Sequence, residues 1–296
     1  MRYKPLKGYL YAVLSAVIYG SMPLMAKYIY ADGVNPFTLV FLRNLFSLIP
    51  LALLSYREKK TLKISPRLLP SLIVISLLGC CITPILLFTS YQFIPSGLAT
   101  IIHFTYPTFV VIAGILFLRK KASAISIISV LLCAAGIGMF YTPGQSIDLT
   151  GAALSLLSAV TFAGYVITLS RFDNSKLSGF LFSFYLTLIS SIATFCICIA
   201  TGSLSIPNSL QGWGLCILFS LLVTTGAVVL FQQSTFLIGG ESASILSTLE
   251  PITSILIGVI LFREPFGIKT LMGTTLVLIA GIITVVFNVA KKAKQA

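Results

Sequence analysis

Residues 249–265 read LEPITSILIGVILFREP, and residues 105–121 read TYPTFVVIAGILFLRKK. Laid over one another at a shift of about 144 positions, Pro107 meets Pro251, Gly114 meets Gly258 and Arg119 meets Arg263. Between proline and arginine neither stretch carries a charge. Moving outward, Gly8 with Leu14-Ser15-Ala16-Val17 falls on Gly151 with Leu157-Ser158-Ala159-Val160, and Ala135-Gly136-Ile137 falls on Ala280-Gly281-Ile282. The chain is therefore read as a duplication, with one unit over 1–144 and a second over 145–296.

What each unit is made of follows from composition. Apolar residues are 57% of the 296 and charged residues only 9%, against about 25% charged in a soluble domain. Too little charge is present to face water, so lipid is the expected solvent. A spanning helix needs roughly 20 apolar residues. Ten such runs are expected: 8–30, 35–56, 68–91, 95–118, 123–142, 149–170, 177–201, 212–237, 242–262 and 268–289. Breakers separate them, among them Asp32-Gly33, Ile94-Pro95-Ser96-Gly97, Thr142-Pro143-Gly144, Gly239-Gly240 and Glu264-Pro265. Barrel strands would be about ten residues long and alternate in polarity. These runs are longer and apolar throughout, so the expected fold is an all-α integral membrane protein of ten transmembrane helices. The first run is longer than a signal-peptide core and has no A-x-A site, so it is expected to stay as the first span.

Charge placement sets the orientation. With the N-terminus in the cytoplasm, sixteen Lys and Arg fall inside: Arg2, Lys4, Lys7, Arg57, Lys59, Lys60, Lys63, Arg67, Arg119, Lys120, Lys121, Arg171, Lys176, Lys291, Lys292 and Lys294. Only Lys27, Arg263 and Lys269 fall outside. Both termini are thus expected to be cytoplasmic. Five spans per unit is an odd number, so the second unit enters the membrane upside down. The expected architecture is two inverted five-helix repeats around a midplane binding site. The net charge of +13 is explained by orientation signals. No basic stripe interleaved with aromatics is present, so nucleic acid is not an expected partner.

The pattern Leu249-Glu250-Pro251, Gly258, Leu261-Phe262-Arg263-Glu264-Pro265, Gly273 and Ala280-Gly281-Ile282 resembles the drug/metabolite transporter superfamily, and within it the EamA-type ten-helix transporters. The first half carries a weaker copy, with Lys120 where Glu264 stands. The resemblance covers the whole chain. It implies a transporter of amino acids, nucleosides, drugs or other metabolites. It also implies that the first four helices of each half line a cavity, with the fifth and tenth outside.

Ionisable groups inside spans are costly and mark cavities or partners. Three are expected here. Arg43 lies roughly 12 Å into the second span and fits a clamp on a substrate carboxylate or phosphate, or a structural ion pair with Glu250. Glu250 lies at similar depth beside Pro251 and fits an amine-binding or proton-carrying role. His103, the sole histidine, stands four residues before Pro107 and fits either a titrating or a hydrogen-bonded structural role. Asn44 and Ser47 flank Arg43. Tyr19, Tyr91, Tyr106 and Gln232 are further candidate substrate-binding residues, with Gln92, Tyr165 and Gln233 at similar depth; Tyr28, Tyr30 and Trp213 fit an interfacial belt. Gly136-x-Gly138 permits close helix contact, and both a monomer and a homodimer fit.

Other classes are disfavoured. No HExxH, GxSxG or Walker loop is present, and no charge ring marks a channel. The six cysteines form no CxxC pair and read as packing residues. No cofactor or metal is expected. The expected function is a secondary transporter in the plasma membrane, moving a small metabolite outward by alternating access. One buried cation and one buried anion at matching depth favour an amino acid or similar zwitterion; the alternative is a multidrug or organic-cation exporter. Only Glu250 and His103 titrate inside, and the first helix has no embedded carboxylate, which leaves proton antiport and facilitated diffusion both open.

Overall fold

In lipid a backbone must satisfy its own hydrogen bonds, and a helix does this within one segment. The apolar runs of this chain fold accordingly. The computed structural model describes residues 4–59, 62–116, 124–139, 148–170, 172, 177–231, 233–234, 237–238, 246–263 and 267–293, and every regular element among them is helical. Seven helical stretches are long and apolar enough to cross a membrane: Leu6–Ala31, Pro36–Glu58, Pro66–Ser90, Ser96–Gly114, Leu149–Leu169, Gly179–Ala200 and Leu210–Phe231. Three shorter apolar helices, Ile127–Met139, Leu249–Phe262 and Ile268–Ile283, fall at the expected fifth, ninth and tenth runs. Among the described residues, then, seven rather than ten reach spanning length. The three shorter ones border residues 117–123, 140–147, 239–245 and 264–266, which lie outside the described set.

The helices pack in a pattern that repeats at the same shift of about 144. Pro36–Lys59 runs along Gly179–Ala200, and Ala124–Met139 runs along Ile268–Ala293. Lys4–Gly20 packs on Leu249–Phe262, just as Ser96–His103 packs on Leu149–Ser170. Gly136 serves the Ala124–Met139 contact: a Cβ there would stand 2.8 Å from Val277 Cγ2 and 2.9 Å from the Gly273 carbonyl. The small residue proposed for helix association is spent within the chain, while Gly138 has nothing within 4 Å.

Several runs that read as continuous are interrupted. The first breaks at Ser21, between Lys4–Gly20 and Met22–Ala31. The fourth breaks after Ser96–His103 and restarts as Tyr106–Leu116. In the ninth, a turn at 247–248 precedes Leu249–Phe262. The restarts place Pro107 and Pro251 in a first turn, where a missing N–H costs little. The third and eighth runs stay helical but widen to π winding at Leu77–Ile82 and Ser220–Ala227.

One end of the bundle is hydrogen-bonded across. Asn35 Oδ1 caps its own helix by accepting from Thr38 N (2.9 Å). Its backbone N–H donates to Ser205 Oγ (2.8 Å), and its side-chain amide donates to the Ser203 carbonyl. Thr38 Oγ1 donates to the Ser203 carbonyl (3.2 Å) and accepts from Ser205 N (3.0 Å). Asp32 accepts from Asn208 N (3.2 Å) and Ser209 N (3.1 Å). At the opposite end Leu72, Ile75 and Leu186 are buried under Ile64, Leu68, Leu169, Phe172, Leu177 and Phe182.

Candidate functional site

The interruptions converge on the polar residues. Just before the Ser21 break come Tyr19 and Gly20. A side chain at residue 20 would stand 2.5 Å from Thr253 Cβ and 2.6 Å from the Glu250 carbonyl. Only glycine lets the first helix approach the Leu249–Phe262 helix this closely, and the approach brings Tyr19 beside Glu250. Glu250 itself stands in the first turn of its helix, its backbone N–H donating to the Ser247 carbonyl (3.0 Å).

Arg43 comes from the middle of Pro36–Lys59. Its backbone is fastened: the carbonyl accepts from Ser220 Oγ (2.6 Å) and Ser47 Oγ (2.9 Å). Its guanidinium carbon lies 5.6 Å from the Phe88 ring centroid, within the range of a cation–π contact. Its Nε is buried with no hydrogen-bond partner. No carboxylate of the described residues lies in ion-pair range of it, so the structural pair with Glu250 does not form. Tyr19 is a polar neighbour of both; Cys80 and Tyr91 are the other close polar neighbours of Arg43, and Tyr106 that of Glu250. Tyr19, Arg43, Cys80, Tyr106, Tyr165 and Glu250 are each half-buried, although they are enclosed deep in the bundle. Side chains that protein surrounds but does not cover line an internal space.

His103 is placed differently. It is 6% exposed, and its Nδ1 lies 2.8 Å from Ser158 Oγ. Ser158 spends its proton on the Ser155 carbonyl (2.6 Å), so Nδ1 carries the hydrogen and donates. The ring lies 5.2 Å from Phe162 and 6.1 Å from Tyr106. His103 thus ties the fourth helix to the sixth and stands behind Tyr106. Tyr91, also buried, packs on Phe88 (5.8 Å). Gln232 lies outside the described residues. Of the belt candidates, Tyr28 is exposed, whereas Tyr30 turns inward and donates to the Phe88 carbonyl (3.1 Å).

Two participants were not apparent as such in the sequence. Cys80, read as a packing residue, is a neighbour of Arg43. Ser220 holds the Arg43 backbone. The signal for Ser220 was the duplication, which lays it on Ser76, the residue before the other π-wound segment.

A bundle of long apolar helices, interrupted around deep polar residues, is the architecture of a multi-pass membrane protein. Comparison with known proteins agrees. The pattern of the EamA-like transporter family matches twice, over residues 6–142 and 149–287, and the chain belongs to that family. It is similar to an uncharacterized transporter of Clostridium kluyveri, at 22% identity over 98% of this chain and 96% of that one. It is also similar to the uncharacterized inner membrane transporter YicL of Salmonella typhimurium, at 25% identity over 98% of each. Its fold resembles that of a protein known by crystal structure, with a TM-score of 0.65 at 12% identity, over 95% of this chain and 96% of that one.

Proposed function

We propose that the chain is a secondary transporter that carries a small zwitterion, such as an amino acid, outward across the plasma membrane. In this reading ten spans form two inverted units, 1–144 and 145–296, with both termini cytoplasmic, and the units alternate the access of a shared chamber. The mirrored helix contacts support the two-unit arrangement. Arg43 takes the substrate carboxylate, Glu250 the amine, and Tyr19 spans the gap between them. Tyr91 and Tyr106 stand at the two sides, and His103 fixes the wall behind Tyr106.

What supports the reading is that Arg43 and Glu250, an arginine and a carboxyl group both enclosed in the bundle, form no ion pair with each other and share Tyr19 as a polar neighbour. A buried charge without a partner is expensive, and a structural role would have closed the pair. Left apart, the guanidinium and the carboxyl group suit a ligand that brings a complement to each. In proteoliposomes, Arg43→Ala and Glu250→Gln should each cut flux of labelled amino acids at least tenfold. Unchanged flux in both variants removes the site.

A second reading draws on the ring contacts Tyr106–Phe162 (4.7 Å) and Phe162–Tyr165 (5.3 Å) beside Glu250. Such a wall suits an organic cation. Lipophilic cations would then raise the melting temperature of the protein, amino acids would not, and only Glu250→Gln would impair flux.

A further inference from the structure

The two π-wound segments occupy equivalent places in the two halves. Leu77–Ile82 and Ser220–Ala227 coincide at the shift of about 144. A π segment holds an extra residue and leaves backbone groups imperfectly paired, and it recurs at functional sites. Here the strays are caught by the other elements. The Cys80 carbonyl, inside the first segment, accepts from Ser190 Oγ (2.8 Å) and Asn44 Nδ2 (3.3 Å). Asn44 Nδ2 also reaches Ser190 Oγ (3.0 Å).

The serines at the heads of the segments behave alike. Ser76 Oγ donates to the Leu186 carbonyl (2.6 Å), on the second helix of the other half. Ser220 Oγ donates to the Arg43 carbonyl (2.6 Å), again on the second helix of the other half. Ser47 closes the set against Ser220, Oγ to Oγ at 2.7 Å. One continuous seam therefore runs from Ser220 through the Arg43–Ser47 turn and Asn44 to the Cys80 carbonyl. In the second segment Thr224 and Thr225 have buried hydroxyls without partners, so that segment is the less firmly held of the two.

We infer that the two π-wound segments are the paired flexing points of the molecule. Each half bends its third helix there, and the serine at the head of the segment ties the bend to the second helix of the opposite half. Because Ser220 grips Arg43, flexing at one segment moves the backbone of the arginine and reaches the other segment. The inference rests on the two-unit transporter reading for its purpose. Its test needs no substrate, so the failure of one is distinguishable from the failure of the other.

Hydrogen exchange of the full chain in lipid nanodiscs reads this directly. Amides of 77–82 and 220–227 should exchange at least tenfold faster than those of 69–76 and 210–219 in the same helices. Ser220→Ala should raise exchange at 220–227 and also at 77–82, and Ser220→Thr should restore both. Segments as protected as their flanks overturn the inference. So does a Ser220→Ala effect confined to 220–227, which is what a local structural bond would give.

Discussion

At one end of the bundle Asp32, Asn35 and Thr38 are stitched to residues 203–209 by hydrogen bonds; at the other, Leu72, Ile75 and Leu186 are sealed under apolar side chains. The duplication makes these ends counterparts. Asn35 corresponds to Gly179, Thr38 to Phe182 and Asn208 to Ile64. The same scaffold position thus holds a polar latch in one unit and an apolar plug in the other. A latch of directional bonds needs correct geometry and gives way bond by bond. A plug is non-directional and yields when its area is exposed. Under the proposed alternating access, two ends closed by unlike forces open with unequal ease.

Three substitutions probe this contrast, and the largest effect belongs to the plug. Leu72 is fully buried, and Leu72→Ala should cost about 2–5 kcal/mol through lost transfer and a residual cavity, read as a fall in melting temperature. Asn35→Ala removes the helix cap and an amide bond across the latch. It should cost about 1–2 kcal/mol and raise hydrogen exchange at 203–209 while leaving residues 69–76 protected. Tyr185 Oη donates to the Leu62 carbonyl (2.7 Å) at the apolar end. Tyr185→Phe should cost about 1 kcal/mol or less, because the ring stays in place. A larger loss for Tyr185→Phe than for Asn35→Ala would reverse the assignment of latch and plug.

Much of the fold was legible because lipid enforces long apolar runs and because the duplication repeats visible marks such as Pro107 with Pro251 and Gly114 with Gly258. The interruptions were less legible. Leu77–Ile82 carries one local mark, Pro84, whose missing N–H leaves the Cys80 carbonyl four residues earlier without its usual helical donor; Ser220–Ala227 has no such mark, with Val228 at the equivalent place. The breaks before Tyr106 and Leu249 were signalled only by prolines, which also occur inside continuous helix, as Pro50 does here. For the site, depth within a span picked out Arg43 and Glu250. It gave no relative placement, so an ion pair between them was an open expectation that the structure does not meet. Cys80 was unreadable as a site neighbour because an apolar run offers no sign of which face meets the chamber. His103 was legible as buried, but its bond to Ser158 depends on packing between the halves.

In the proposed function, Arg43 and Cys80 face a polar space that opens to one side of the membrane at a time. A variant keeping Cys80 as its only cysteine, in sealed vesicles, tests it with charged, membrane-impermeant methanethiosulfonate reagents applied to either face. Cys80 should be modified, and faster by the anionic reagent than by the cationic one, because Arg43 is its neighbour. Full protection from both faces, with complete reaction once the protein is unfolded in detergent, would contradict it.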